Sequence, residues 1–89
     1  HEPLRHDHGD LTGVVRDSAG APLAATRVRV LEAHREYVTH EDGQFSFGEL
    51  PAGRYTVEVR RLGYVGESQV VAVSRGQATR LVVVLRPSA

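Results

Sequence analysis

An all-β fold, two antiparallel sheets packed face to face as a sandwich, is what this 89-residue sequence predicts. Three observations carry the prediction. From Leu11 onward, short β-branched runs recur between Gly, Pro and Asp residues at spacings of roughly eight to twelve. Several of these runs alternate apolar and polar residues, the pattern of a strand with one face buried. No segment carries the apolar periodicity of a helix. A partly open barrel would bury the same faces and is the alternative architecture.

The first strand is expected over Leu11 to Arg16. It ends at Asp17-Ser18-Ala19-Gly20-Ala21-Pro22, where Gly20 permits positive φ and Pro22 cannot extend a ladder. Thr26 to Glu32 alternates, with Val28 and Val30 on one side and Arg27 and Arg29 on the other. Tyr37 to His40 is a short strand, and Glu41-Asp42-Gly43 separates it from Gln44 to Phe47. Asp-Gly between two β-like runs predicts a hairpin, because such a turn needs positive φ. Leu50-Pro51-Ala52-Gly53 breaks the chain before Arg54 to Arg60, where Tyr55, Val57 and Val59 alternate with polar residues. Ser68 to Ser74 and Ala78 to Leu85 complete seven strands, joined by Arg75-Gly76-Gln77, and Pro87 closes the last. The predicted core is Leu11, Val15, Val28, Val30, Phe45, Phe47, Leu50, Tyr55, Val57, Val59, Val71, Val73, Leu81, Val83 and Leu85. Residues 1–10 are expected to be a flexible His-rich tail, residues 11–86 the sandwich, and residues 87–89 a C-terminal tail or linker.

Composition narrows the chemistry. Eleven basic residues, all arginine, balance eleven acidic ones for a formal net charge of zero, so no basic face for nucleic acid is expected. Arg54, Arg60 and Arg61 cluster in sequence but read as a solvated strand face, since no aromatic platform accompanies them. Cysteine is absent, which excludes disulfides and thiolate metal sites. Lysine is absent too, so the internal isopeptide bond that locks one class of small adhesin and pilin sandwich modules cannot form. No apolar run reaches the roughly twenty residues of a spanning helix.

The turn and strand motifs form an ordered series: Leu11-x-Gly13-x-Val15-x-Asp17, Gly20-x-Pro22-Leu23, Glu41-Asp42-Gly43-x-Phe45-x-Phe47, Leu50-Pro51-x-Gly53-x-Tyr55 and Gly63-Tyr64. Together they resemble the carboxypeptidase regulatory-like domain family over Leu11 to about Arg86. The resemblance implies a seven-stranded antiparallel Greek-key sandwich of transthyretin/prealbumin type. It also implies a non-catalytic accessory unit with no active site to carry over. Members of the family follow metallocarboxypeptidase catalytic domains, occur in surface proteins, and form the periplasmic amino terminus of TonB-dependent outer-membrane receptors. The start at His1 looks like a mature end after signal cleavage, so the receptor placement, with a bacterial periplasmic or cell-envelope location, is the expectation. The partner is then the remainder of a receptor chain or another envelope protein. The isolated domain is expected to be monomeric, with no nucleic-acid partner. A stability or folding domain attached to a peptidase or surface protein is the alternative.

Two groups of residues stand out as candidate sites. In the tail, His6 and His8 could share zinc or copper with Asp7 or Asp10, and a free His1 could add its imidazole and α-amine, since imidazole suits these metals. The other reading is a solvated tail or an expression remnant. If the site exists, the domain is a metal-binding module, fitting a receptor for metal uptake; no cofactor is otherwise required. In the segment Arg61 to Gly66, Leu62, Tyr64 and Val65 would make an exposed apolar patch for a partner if the loop is not folded under the sheet. His34 and His40 read as turn or surface histidines. No serine sits in a nucleophile-elbow pattern, and the adjacent Glu41 and Asp42 are explained by turn formation. The Tyr-Arg-Gly-Ser ending of the transthyretin-like hydrolases of purine breakdown is missing, so no catalytic residue is proposed.

Overall fold

The computed structural model describes residues 8–88, and the described residues form seven strands and no helix. They are β1 (His8–Asp17), β2 (Arg27–Val30), β3 (Arg35–Val38), β4 (Gln44–Pro51), β5 (Gly53–Arg60), β6 (Glu67–Val73) and β7 (Ala78–Leu85). One sheet has the order β4-β1-β7 and the other β3-β2-β5-β6. The first strand starts at His8, three residues before the expected Leu11, so His8–Asp10 belong to the sandwich rather than to a tail.

The alternation read from the sequence translates directly into burial. Val28, Val30, Tyr55, Val57, Val59 and Val73 from one sheet meet Leu11, Val15, Phe45, Phe47, Leu50, Val83 and Leu85 from the other. Val71 and Leu81 pack against this cluster only in part, because both lie toward a sheet margin. Leu23, in the connection after β1, completes the cluster from outside the strands. Phe45, Phe47 and Leu50 do not share strict alternation, and a bulge explains why all three are buried. Between the pairs Gly9↔Leu50 and Leu11↔Phe47 the register shifts, leaving Gly48 and Glu49 opposite Asp10. Glu49 adopts φ 57° there, and its amide donates to Asp10 Oδ1 at 3.1 Å.

Two topological expectations are corrected. The sandwich is not wholly antiparallel: β1 and β7 pair in parallel from Asp10↔Ala78 to Asp17↔Leu85. Alternation fixes which face of a strand is buried but not the direction of its neighbour. The Asp42-Gly43 turn is present, with Gly43 at φ 69° and its amide bonded to His40 O, yet it does not make a hairpin. β3 lies in one sheet and β4 in the other, so the turn is an arch across the sandwich. Its anchor is tertiary, since Gly43 O accepts from Val15 N at 2.8 Å. The consecutive strands that do form hairpins are β2–β3, closed at His34 with φ 54°, and β5–β6.

The arch is fastened by two buried threonines. Thr39 Oγ1 donates to Leu23 O at 2.7 Å and accepts from Thr26 N, while Thr39 N donates to Thr26 O. Buried hydroxyls cost free energy unless satisfied, and these are.

Candidate interaction site

The β5–β6 connection, residues 61–66, is held in one shape by bonds to two distant parts of the chain. Arg61 turns inward, and its Nε donates to Ala24 O at 2.7 Å. Its guanidinium lies over the Tyr64 ring, 5.2 Å from the centroid, so Tyr64 is stacked and half-buried against the core. The Tyr64 amide closes a turn on Arg61 O, with Gly63 at φ 88° supplying the left-handed residue that turn needs. From the other side the end of the chain clamps the loop, since Val65 N donates to Arg86 O and Ser88 N to Gly63 O, each at 2.9 Å.

This geometry divides the expected patch of Leu62, Tyr64 and Val65. Tyr64 is removed from it by the stack with Arg61 and by packing on the core. Leu62 stands at the loop tip with 96% of its surface exposed, and Val65 is 43% exposed. Sequence reasoning missed Val38, an exposed residue of β3 that lines an open cleft of about 830 Å³ together with Leu62 and Tyr64. Arg27, Arg60 and Arg61 also line it, together with Glu58 and Glu67. The cleft opens onto the outer face of the four-stranded sheet, where Glu36 meets Arg27 at 3.5 Å and Arg29 at 3.7 Å. Glu58 on the same face meets Arg29 at 3.4 Å and Arg60 at 3.2 Å. Pairs this exposed contribute little stability and leave guanidinium donors for a ligand. Of the arginines clustered in sequence, Arg54 and Arg60 do lie on this solvated face, whereas Arg61 serves the loop.

The tail residues His1, His6 and Asp7 lie outside the described residues. His8 is a half-buried strand residue whose carbonyl accepts from Gly76 N, and Asp10 is occupied by the Glu49 amide. Among the described residues, no group of three or more His, Asp or Glu side chains is placed to hold a metal. His34 occupies the β2–β3 turn, and His40 meets the edge of Tyr37 at 5.9 Å between centroids. Glu32 carries a carboxyl held below its ordinary range, first by the Thr56 amide at 2.6 Å and then by the Thr56 hydroxyl at 2.7 Å. Its role is structural, because it supplies β5 with an acceptor where β2 has ended.

The motif series is laid out on two sheets, with an arch at Asp42-Gly43 where a hairpin was expected, and the family profile of the carboxypeptidase regulatory-like domain matches residues 10–86. The chain belongs to that family. Solved structures agree with this carboxypeptidase regulatory-like fold at low sequence identity. The Bacillus anthracis TIE protein superposes with a TM-score of 0.75 at 22% identity, covering 91% of this chain and 17% of that one. A type II Cohesin-X-Dockerin complex from Acetivibrio cellulolyticus gives 0.74 at 16% identity, covering 89% and 58%. The minor pilin of Streptococcus agalactiae gives 0.74 at 14%, covering 93% and 46%. The chain therefore spans from about a sixth to just over half of these structures. No curated protein matches it in sequence. Fold likeness at this level establishes architecture, and function has to be argued from the site.

Proposed function

We propose that this carboxypeptidase regulatory-like domain is a non-catalytic interaction module of a larger exported protein, which binds its partner through the 61–66 loop and the cleft beside it. The observation that carries this is Leu62, a fully presented leucine on a loop that Arg61, Arg86 and Ser88 hold rigid. An exposed apolar anchor on a preorganised loop loses little conformational entropy on binding, which is how interface hot spots gain affinity. Two further facts support the reading: the family is a regulatory rather than a catalytic domain type, and the similar structures include an assembly of cohesin and dockerin modules and a pilin. Within it, the finer placement we favour is the periplasmic amino-terminal extension of a TonB-dependent outer-membrane receptor, which rests on the motif resemblance.

The test is a photo-crosslinking amino acid placed at Leu62 in the full-length protein in its native envelope. A single discrete adduct, to another domain of the same polypeptide or to one envelope protein, is expected, and it should vanish when Val65 and Val38 are both changed to Asp. Adducts of equal yield from Leu62 and from a site on the opposite sheet, such as Ser46, would sink the proposal.

A further inference from the structure

Four strands form the margins of the two sheets: β4 and β7 in one, β3 and β6 in the other. A margin presents unpaired amide and carbonyl groups, and proteins blunt it with charge, proline, short strands or covering segments. Three margins here are blunted. β3 has four residues, of which Arg35 and Glu36 are charged. β4 carries the Gly48-Glu49 bulge, and Arg35 Nη1 reaches over to donate to Gly48 O at 2.7 Å. β7 is tied at its end by Val65 N on Arg86 O, after which Pro87 bridges to Tyr64. β6 has none of these devices apart from the Thr79 hydroxyl bonded to Ala72 O near its end. It runs for seven residues without proline, and its one charge, Glu67, is at the start.

The groups that β6 turns outward can be named. Thr56 directs its carbonyl toward Leu31 N and its amide toward Glu32, so the even residues of β5 face β2 and the odd ones face β6. In the antiparallel register Tyr55↔Val71 and Val57↔Gln69, the odd residues of β6 are then the bonded ones. Ser68, Val70 and Ala72 therefore point their amides and carbonyls away from the sheet. Thr79 Oγ1 donating to Ala72 O at 3.0 Å gives the same assignment independently. It leaves that carbonyl a second lone pair. The side chains of these residues share the outer face, and Val70 is 66% exposed in their midst.

We propose that β6 is a self-pairing edge: two copies of the chain join through antiparallel β6–β6 contact centred on Val70, extending the four-stranded sheet across a two-fold axis. Val70 then exchanges amide and carbonyl with its counterpart, and Ser68 does so with Ala72 of the second copy. The charges favour this occupant. Glu67 lies opposite Val73 rather than opposite itself, so no like charges meet along the seam. On the outer face, Thr56 and Val70 continue into Val70 and Thr56 of the second copy. Two positions along, Arg54 and Ala72 continue into the second copy's Ser68 and Glu58. Three strand spacings separate Arg54 from that glutamate, about 14 Å between Cα atoms, and the two side chains face each other over small residues. Arg54 makes no ion pair among the described residues of a single copy. The symmetry generates the Arg54–Glu58 approach twice. The seam shares Glu67 and Ser68 with the cleft beside the Leu62 loop, but Leu62 itself lies beyond the start of β6 and takes no part in the pairing.

The experiment is sedimentation velocity on the 89-residue chain over a rising concentration series, with amide hydrogen exchange followed residue by residue. The expected result is a reversible monomer–dimer equilibrium in which the amides of Ser68 and Val70 exchange fast in dilute solution and become protected as the dimer fills, while those of Gln69 and Val71 are protected throughout. Val70→Lys should weaken association at least ~10-fold by placing like charges directly across the axis. Because Val70 is exposed, that variant keeps the wild-type circular dichroism and thermal midpoint. Val82→Lys, on the outer face of the other sheet, should dimerise as the wild type does. A chain that stays monomeric to millimolar concentration, or a dimer that survives Val70→Lys, overturns the proposal.

Discussion

Gly13 lies where three strands meet, paired with Phe45 on one side and Leu81 on the other. A Cβ built on it would come within 2.3 Å of Leu81 O and 2.4 Å of the Phe45 ring. Neither neighbour can retreat, since one is sheet backbone and the other a fully packed aromatic. Gly13→Ala is therefore expected to lose on the order of 1–3 kcal/mol or more through overpacking. The readout is the urea midpoint against a control, Gly76→Ala, whose added Cβ meets nothing and whose cost comes only from φ 68°. Equal midpoints for the two variants would contradict the close approach.

At the level of the strand, β2 is four residues long, but its ladder to β5 is prolonged by a side chain. The Glu32 carboxylate accepts both the amide and the hydroxyl of Thr56, which lowers its pKa from the ordinary 4.5. A lowered folded-state pKa makes a contribution that is complete above the unfolded value and disappears as pH falls through the folded one. Glu32→Gln should thus unfold more readily than the wild type at neutral pH. The gap between their urea midpoints should narrow as pH falls below the ordinary 4.5 and close once the folded-state carboxyl is protonated. A gap that stays constant over that range would assign the Glu32 effect to packing.

How much of each element was legible follows from what alternation encodes. Val28, Val30, Val57 and Val59 declared their buried face because every second residue between them is polar. The bulge at Gly48-Glu49 was hidden, although Leu50 was rightly placed in the core, because a bulge is a mismatch between two strands and no single strand records it. Asp42-Gly43 announced a chain reversal and positive φ, but which sheet receives the next strand is decided by Val15 N reaching for Gly43 O. Leu62 could be singled out as an apolar loop residue. The withdrawal of Tyr64 could not, because Arg61 reads as a surface charge until Ala24 O is seen beside it.

On the scale of the whole molecule, the two outer faces differ. That of the four-stranded sheet is a lattice of Arg and Glu bordered by Val38 and Val70 on its marginal strands, whereas that of the three-stranded sheet carries Val14, Val82 and Val84 between Arg16 and Arg80. Val14 is only 4% exposed although it points outward, sheltered by Gln44 and Val82 in its own row. The core between the sheets belongs to both and leaves no buried side-chain polar atom unbonded among the described residues.

The parallel pairing of the first strand with the last also governs how the domain bears tension. A pull on its two ends acts on β1 and β7 in opposite directions along their shared axis. The ladder from Asp10↔Ala78 to Asp17↔Leu85 is then loaded in shear, with its evenly spaced bonds sharing the force instead of parting one at a time. Forced unfolding is governed by the unfolding barrier rather than by equilibrium stability. Single-molecule stretching should accordingly find the domain more resistant when pulled from the start of β1 and the end of β7 than from a pair of linkage points at β5 and β6, which would peel an antiparallel hairpin. Equal rupture forces in the two geometries would mean that the terminal pair is not the mechanical clamp.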